Sequence, residues 1–401
     1  MPKLLHINIC SAMLSTGKIV EDICKVAKKY GWETYTAWGR FAKPSVSNQI
    51  QIGGKIDTYI HYVAHKLLDR EGLESKNATK KLIRQIQAIQ PDIIHLHNIH
   101  DHYINYPLLF DYLAKMGAPI VWTQHDCWTF TGGCMYYDLQ NCNKWESGCK
   151  DCPEHRAILG DNTEKHYILK QQLLSRIKCL TYVSVSNWLE DALRKSHQNN
   201  RPIQTIHNGI DIDLFRPRES FVKKNKFVVL GVAAVWCKRK GLDDFIRLRS
   251  MLPIDCYEIV LVGLTEKQIK TLPRGINGIV RTTNVQELVQ IYSYADVFVN
   301  PTYSDNFPTT NLEALACGTP VITYRTGGSP EAVDANTGTV IEKGDVNALC
   351  AMIKEFQTID FKSIHTVDCR KRVVENFDKE KCFEKYMKLY EILLHKDRSS
   401  V

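Results

Sequence analysis

"YSDNFPTTNLEALACGTPVI" (303–322) decides how this chain is read. A strand-like run, ADVFVNP, delivers the chain to Asp305. Pro308 suits the first turn of a helix, where its missing N–H is no loss. Glu313 follows Asp305 by eight positions, inside that helix. The helix stops at Gly318, and PVITY re-enters what reads as a buried strand. Strand, turn, short helix and strand form one unit of a parallel α/β sheet. In such sheets ligands lie beyond the carboxyl ends of the strands. That puts Asp305, Asn306, Phe307 and Pro308 at a binding site. The free N–H groups of the following helix favour an anion or a sugar hydroxyl there. The Glu313 carboxylate can accept two hydrogen bonds from a vicinal diol such as ribose. The plain alternative, a capping acid followed by a surface Glu, loses ground once ALACGTPVI follows.

The same alternation runs through the chain. LLHINI leads to "GKIVEDICKVAKKYG", where Ile19, Ile23, Val26, Ala27 and Tyr30 share a face. TYTAWG, DIIHLH, PIVWTQ and LTYVSVS continue the pattern. It breaks near "HNGIDIDLFRPRESFVKKNK" and restarts with KFVVLGVAAV, then YEIVLVG, NGIVRT, ADVFVNP and PVITY. At 401 residues two domains are expected. The reading is two Rossmann-like domains facing across a cleft: 1–212, with a Cys-rich insertion at 127–152, and 213–401. The boundary falls near 212–222. A last amphipathic helix at about 377–395 is expected to pack back on the N-terminal domain.

Composition narrows the class. Hydrophobic residues make up 44% and charged residues 24%, as in ordinary globular proteins. No apolar run approaches the ~20 residues that span a bilayer, and MPKLLHINIC does not read as a signal peptide. A cytoplasmic location follows as an expectation. The fourteen Cys then read as thiols or metal ligands rather than a disulfide framework. The net charge of +8 suits an anionic small molecule or an anionic membrane surface. No basic run is dense enough to argue for nucleic acid.

Taken together, "SDNFPTTNLEALACGTPVI…TGGSPEAV", "STGKIV", "HLHNIH", "HDCWTFTGGC", "SNW", "HNGID" and "RKGLDDFI" closely resemble the retaining glycosyltransferases of family 4, in family order along nearly the whole chain. The likeness is closest to enzymes of capsule and colanic-acid type exopolysaccharide synthesis. It implies the GT-B fold and transfer of a hexosyl-type sugar from a UDP- or GDP-linked donor to a glycan or lipid-linked glycan, with retention. A lipid-linked acceptor would bring the enzyme to the inner face of the plasma membrane as a peripheral protein, with helices such as "KKLIRQIQAIQ" touching the surface.

The resemblance also assigns residues. The family's Glu-x7-Glu pair falls on Asp305 and Glu313, so the first Glu is here an Asp. Asp305, Asn306, Phe307 and Pro308 hold the sugar, and Glu313 the ribose. Thr282 joins the donor-binding set. A family Lys matches Lys240 in "VWCKRKGLDDF" and faces the diphosphate; the family Arg falls on Val235, which leaves Arg239 or Lys238 as the second cation. Gly17 lets backbone approach a phosphate. His125 is expected to face the transferred sugar, making His125, Lys240 and Asp305 the catalytic candidates. His97, His100 and Asp126 line the acceptor side. No protein base is assigned, since in the family the leaving phosphate is thought to take the acceptor proton. Asp211-Ile212-Asp213 matches an Asp-x-Asp metal motif of another transferase fold, but lies in an Asn-Gly-Ile-Asp run. Catalysis is therefore expected to need no metal cofactor.

Cys134, Cys142, Cys149 and Cys152 are spaced C-x7-C-x6-C-x2-C. The closing Cys-x-x-Cys is a common half of a tetrahedral Zn²⁺ site, so a structural zinc is weighed against free thiols. Two other functions stay open: a GT-B nucleotide-sugar epimerase, which needs no acceptor, and a catalytically decayed, metal-stabilised scaffold.

Overall fold

A computed structural model describes residues 1–154, 157–219 and 225–398. Part of the expected boundary stretch, 220–222, lies outside the described residues. The chain divides into two compact units, Met1–Ile206 with Phe383–Val401, and His207–Cys382.

In the first unit β1 (Lys3–Ser11), α1 (Leu14–Lys29), β2 (Glu33–Ala42) and β3 (Asn48–Gln51) come first. Next are α2 (Lys55–Leu68), α3 (Lys76–Ile89), β4 (Ile93–Leu96), α4 (Tyr106–Met116) and β5 (Ile120–Gln124). After a long connection follow α5 (Thr163–Ser175), β6 (Leu180–Ser184), α6 (Asn187–Lys195) and β7 (Ile203–Thr205). The sheet order is β3-β2-β1-β4-β5-β6-β7, with every pairing parallel. β4, β5 and β6 are buried along their whole length, as a sheet covered on both faces requires.

The second unit repeats the plan with β8 (Phe227–Val232), α7 (Leu242–Met251), β9 (Tyr257–Val262), α8 (Glu266–Ile269) and β10 (Ile276–Ile279). α9 (Val285–Tyr294), β11 (Val297–Asn300), α10 (Thr309–Ala316), β12 (Val321–Tyr324) and β13 (Gly338–Ile341) follow. α11 (Val346–Thr358), α12 (Phe361–Asn376) and α13 (Lys379–Arg398) close the chain. Its parallel sheet runs β10-β9-β8-β11-β12-β13. Val229, Ile259, Leu261, Val297, Val299 and Ile322 lie in its core. Burying such a side chain contributes about 1.5–3 kcal/mol.

In both sheets the strand order reverses beside the first strand of the unit, between β1 and β4 and again between β8 and β11. A crevice opens at each such reversal, because the two crossover helices leave toward opposite faces. The segments that follow these four strands therefore carry the candidate residues.

The division of the chain differs from the sequence boundary of 212. Residues after Ile206 join the second unit because Ile210 exchanges backbone bonds with Phe377 and Lys379, and Arg370 donates to the carbonyls of Ile212 and Phe215. The last helix begins at Lys379, and its residues from Phe383 group with the first unit. There Tyr390 bonds His95 at 2.6 Å, and Tyr386 bonds Thr123 at 3.0 Å. The helix "KKLIRQIQAIQ" is α3, which buries Leu82 and Ile86 in the core. Its apolar face is thus used up by folding.

Candidate functional site

In the second unit the turn after β8 and the loop after β11 are tied together. Lys238–Lys240 form a short 3₁₀ turn. The Arg239 carbonyl accepts from the Tyr303 amide at 2.7 Å and from the Thr302 hydroxyl at 3.2 Å. The Arg239 guanidinium donates to the Ser304 carbonyl at 2.8 Å. Gly241 has φ 74°, and a Cβ there would lie 2.2 Å from the Pro301 carbonyl, so only glycine fits. This close approach sets Lys240 Nζ 2.5 Å from Asp305 Oδ2, an ion pair about one-fifth exposed on each side. A third segment completes the cradle. Gly327 and Gly328 run against the backbone of Asp305, whose carbonyl accepts the Gly328 amide at 3.1 Å.

α10 begins just beyond, with Pro308 at its N-cap position. Glu313 lies on this helix, half-buried, and its Oε2 accepts from the Tyr292 hydroxyl at 2.8 Å. Phe307 is buried against His207, ring centroids 4.9 Å apart, and Asn306 is buried beside it. Thr282 lies three residues past the end of β10, half-buried, in the turn leading to α9. Val235 is 69% exposed, and Lys238 is exposed as well. Asp211 is occupied structurally: it accepts from the amides of Asp213 and Leu214 and pairs with Lys379 at 2.7 Å. That accounts for the Asp-x-Asp sequence as a turn.

In the first unit the segments after β4 and β5 meet around one pocket, lined by His97, His100, His125 and Asp126. Three imidazoles run in a chain: His6 Nδ1 to His97 Nε2 at 3.0 Å, and His97 Nδ1 to His125 Nε2 at 3.0 Å. Burial holds His125 at about 4, so it is neutral near pH 7. His95 bonds Thr123 and Tyr390. The nitrogens of His6, His95 and His97 lie within 4.8 Å of one another, and among the described residues this is the tight group of potential metal ligands. Those of His95 and His97 are already spent on hydrogen bonds.

His100 and Asp126 form a buried pair at 2.8 Å. Burial alone would lower the His100 pKa, but the Asp126 carboxylate overrides it and raises it to about 9. Burial pushes the Asp126 carboxyl up, and His100 together with the Trp128 amide brings it below its ordinary value. Gly17 is buried in the first turns of α1, where a Cβ would press on Cys10 at 3.0 Å. Close packing of α1 on β1 therefore accounts for this glycine.

Sequence reasoning passed over several groups. Asn8 binds the Asn98 amide and donates to the Cys10 carbonyl, linking the ends of β1 and β4. Lys170, fully buried, donates to the Trp128 carbonyl with its ammonium 3.9 Å from the Trp128 ring centroid. Tyr292 holds Glu313. The alternation His6, Asn8, Cys10 inside an otherwise apolar strand was a readable sign for the first of these.

Residues 20–214 match the family model described as Glycosyltransferase Family 4, and residues 226–358 that described as Glycosyl transferases group 1. An Escherichia coli protein, WcaC, named as a candidate colanic acid biosynthesis glycosyl transferase, is 24% identical over 88% of this chain and 90% of its own. Sucrose-phosphate synthase from Thermosynechococcus elongatus superposes with a TM-score of 0.74 at 17% identity, covering 99% of this chain and 100% of that one. Anabaena HepE, solved in complex with UDP, gives 0.66 at 14% identity over 98% and 100%.

The His100–Asp126 pair predicts a pH dependence. The His100 contribution to stability is complete below its ordinary 6.5 and is lost as pH rises through about 9. The Asp126 contribution is present above its ordinary 3.8 and is lost as pH falls through its depressed value. Urea midpoints measured from pH 5 to 10 should fall through the alkaline limb in the parent. In Asp126→Asn that limb should flatten; an unchanged limb would assign it to other groups.

Proposed function

Given that the chain belongs to the glycosyltransferases, a family 4 domain followed by a group 1 domain on the GT-B fold, we propose that it transfers a sugar from a nucleoside diphosphate sugar to a glycan hydroxyl, with retention at the anomeric carbon, in capsule or exopolysaccharide synthesis. The observation that carries this reading is the Lys240–Asp305 pair, set beyond the β8/β11 reversal with Glu313 on the next helix. Glu313 takes the ribose diol. Lys240 meets the charge that develops on the leaving diphosphate, with Arg239 beside it, and Asp305 accepts the sugar hydroxyls. In the transfer the anomeric C–O bond to phosphate breaks and a bond to the acceptor oxygen forms on the same face. The acceptor proton passes to the leaving phosphate. This needs no protein base, in keeping with an Asp305 carboxylate already paired to Lys240. The first unit serves the acceptor and the transferred sugar through His125, a neutral imidazole placed by His97, with Asp126 and His100 beside it. The uridine of HepE and the name of WcaC support a nucleotide donor and a surface polysaccharide product.

The lipid side of the reading rests on α2. Ile56, Tyr59, Ile60, Tyr62, Leu67 and Leu68 are all exposed on it, and Lys76, Lys80 and Lys81 are exposed on α3, which follows. An apolar face with nearby lysines suits the surface of an anionic bilayer, each Lys adding about 1 kcal/mol. No helix among the described residues is long and apolar enough to cross a membrane.

A thermal-shift screen of UDP and GDP identifies the base, since a bound nucleotide raises the melting temperature. Incubating the matching sugar donors with and without glycan acceptor, and reading product configuration by NMR, then tests transfer; donor conversion without acceptor would mean epimerisation. Glu313→Ala should weaken nucleotide binding on the order of 10–100-fold while the fold survives. Undiminished binding would remove the ribose role. Lys240→Ala should cost on the order of 10²-fold in kcat, and Arg239→Ala less. A large loss at Arg239 alone would make it the principal cation. Ile60→Asp should reduce sedimentation with anionic vesicles at low salt; if the parent itself stays in the supernatant, the bilayer contact is wrong.

A further inference from the structure

The connection between β5 and α5 holds five cysteines, four of which, Cys134, Cys142, Cys149 and Cys152, come to one place. The structure shows how this aliphatic-poor stretch folds. Phe130, Tyr137 and Trp145 pack together, with centroids 5.0 Å apart for Phe130 and Trp145 and 4.7 Å for Tyr137 and Trp145. Tyr137 stacks on Trp188 of α6. Tyr137 and Trp145 line one pocket together with Cys134, Cys142, Cys149 and Cys152, Gly132 and Glu154. All four thiols are free of disulfides.

The backbone around them is closely placed. A Cβ on Gly132 would lie 3.0 Å from that of Cys149 and 2.2 Å from Thr163, so the close approach depends on glycine. The Cys149-x-x-Cys152 turn is also fixed. Asp151 sits at φ 47°, and Lys144 Nζ clamps the carbonyls of Lys150 and Asp151 at 3.2 and 2.8 Å. The Cys152 amide is anchored on Asp161 at 3.1 Å. The four cysteines thus line one pocket whose walls are set by backbone geometry.

We propose that Cys134, Cys142, Cys149 and Cys152 together bind one structural Zn²⁺ ion. Zn–S bonds near 2.3 Å in a tetrahedron bring the sulfurs to about 3.8 Å from one another. No three of the four sulfurs lie mutually within 4.8 Å in the structure, so binding draws the turns at 134–136 and 149–154 inward. Each thiol that coordinates releases its proton to solvent. Four thiolates fill the coordination sphere and leave no position for substrate, so the ion acts on folding. It fixes the segment that leaves β5 just after His125 and Asp126.

The test reads metal and is independent of sugar transfer. The full chain, made without a metal-affinity tag and kept reduced, should carry about one equivalent of zinc by elemental analysis. Exchange with Co²⁺ should give thiolate-to-cobalt charge-transfer absorption and the intense visible bands of tetrahedral cobalt. Cys142→Ser and Cys152→Ser should each lose most of the zinc, while Cys179→Ser, at an exposed position elsewhere, should keep it. Where a serine variant does not fold, the cobalt spectrum of the parent still decides. Less than about one-tenth equivalent of zinc after incubation with Zn²⁺, with the four thiols titrating freely in the native protein, would overturn the proposal. So would disulfides within the quartet, or equal zinc in parent and serine variants.

Discussion

The second unit's chemistry hangs on the contact between Gly241 and Pro301. Two loops from neighbouring strands approach so closely that a single methyl group at 241 would collide with the carbonyl of 301. Everything beyond is registered by that approach: the amide of Tyr303 and the hydroxyl of Thr302 on the Arg239 carbonyl, and the Arg239 guanidinium on Ser304. Backbone-to-backbone bonding of this kind locates side chains more precisely than side-chain contacts do, because few torsions intervene. Lys240 and Asp305, 65 residues apart, thus come within 2.5 Å without a helix or strand holding either one. The glycines at 327 and 328 extend the same device to a third strand end.

The first unit solves the equivalent problem with side chains. Its reversal point is filled by polar groups on the strands themselves: His6 and Asn8 on β1, His95 on β4, Thr123 on β5. A buried polar group is costly unless partnered; His6 reaches His97, Asn8 the Asn98 amide, and His95 both Thr123 and Tyr390 of the last helix. The cost of leaving any of them unpaired ties the ring of His125 to the position of His97, and that of His97 to His6. Tautomer choice is shared along the row, since a neutral imidazole offers one donor and one acceptor. Whichever nitrogen His125 turns away from His97 has its protonation set from within the sheet.

This difference explains what could be read from the sequence. Mostly apolar runs such as DIIHLH and ADVFVNP became β4 and β11, because parallel strands covered on both faces are rich in apolar side chains. The turn between β11 and α10 was legible because its motif is local: Asp305, Pro308 and Glu313 fall within nine residues. The 48–68 stretch was not. Its strand NQIQ is polar and at an edge, and α2 keeps large apolar residues outside, so neither obeys the burial pattern. The helix KKLIRQIQAIQ, expected to touch a bilayer surface, is α3, which turns Leu82 and Ile86 into the core and its lysines outward. The His6–His97–His125 row was hidden by separations of 91 and 28 residues. Gly17 carries two demands at once: a glycine after a strand lets backbone approach a phosphate, and helix-on-strand packing requires the same residue.

Charge is distributed by the same logic. Several ionised groups are matched: Lys240 with Asp305, His100 with Asp126, Lys379 with Asp211. Lys170 and Arg249 are buried cations that meet carbonyl oxygens instead. Lys170 also leans on the Trp128 ring, and burial lowers its pKa to about 8. Lys55, Lys76, Lys80 and Lys81 are among the exposed cations. A basic composition thus says little about the candidate site, where Lys240 and Asp305 offset each other. It describes the outer surface, and it matters most where those lysines lie close in sequence to exposed apolar residues.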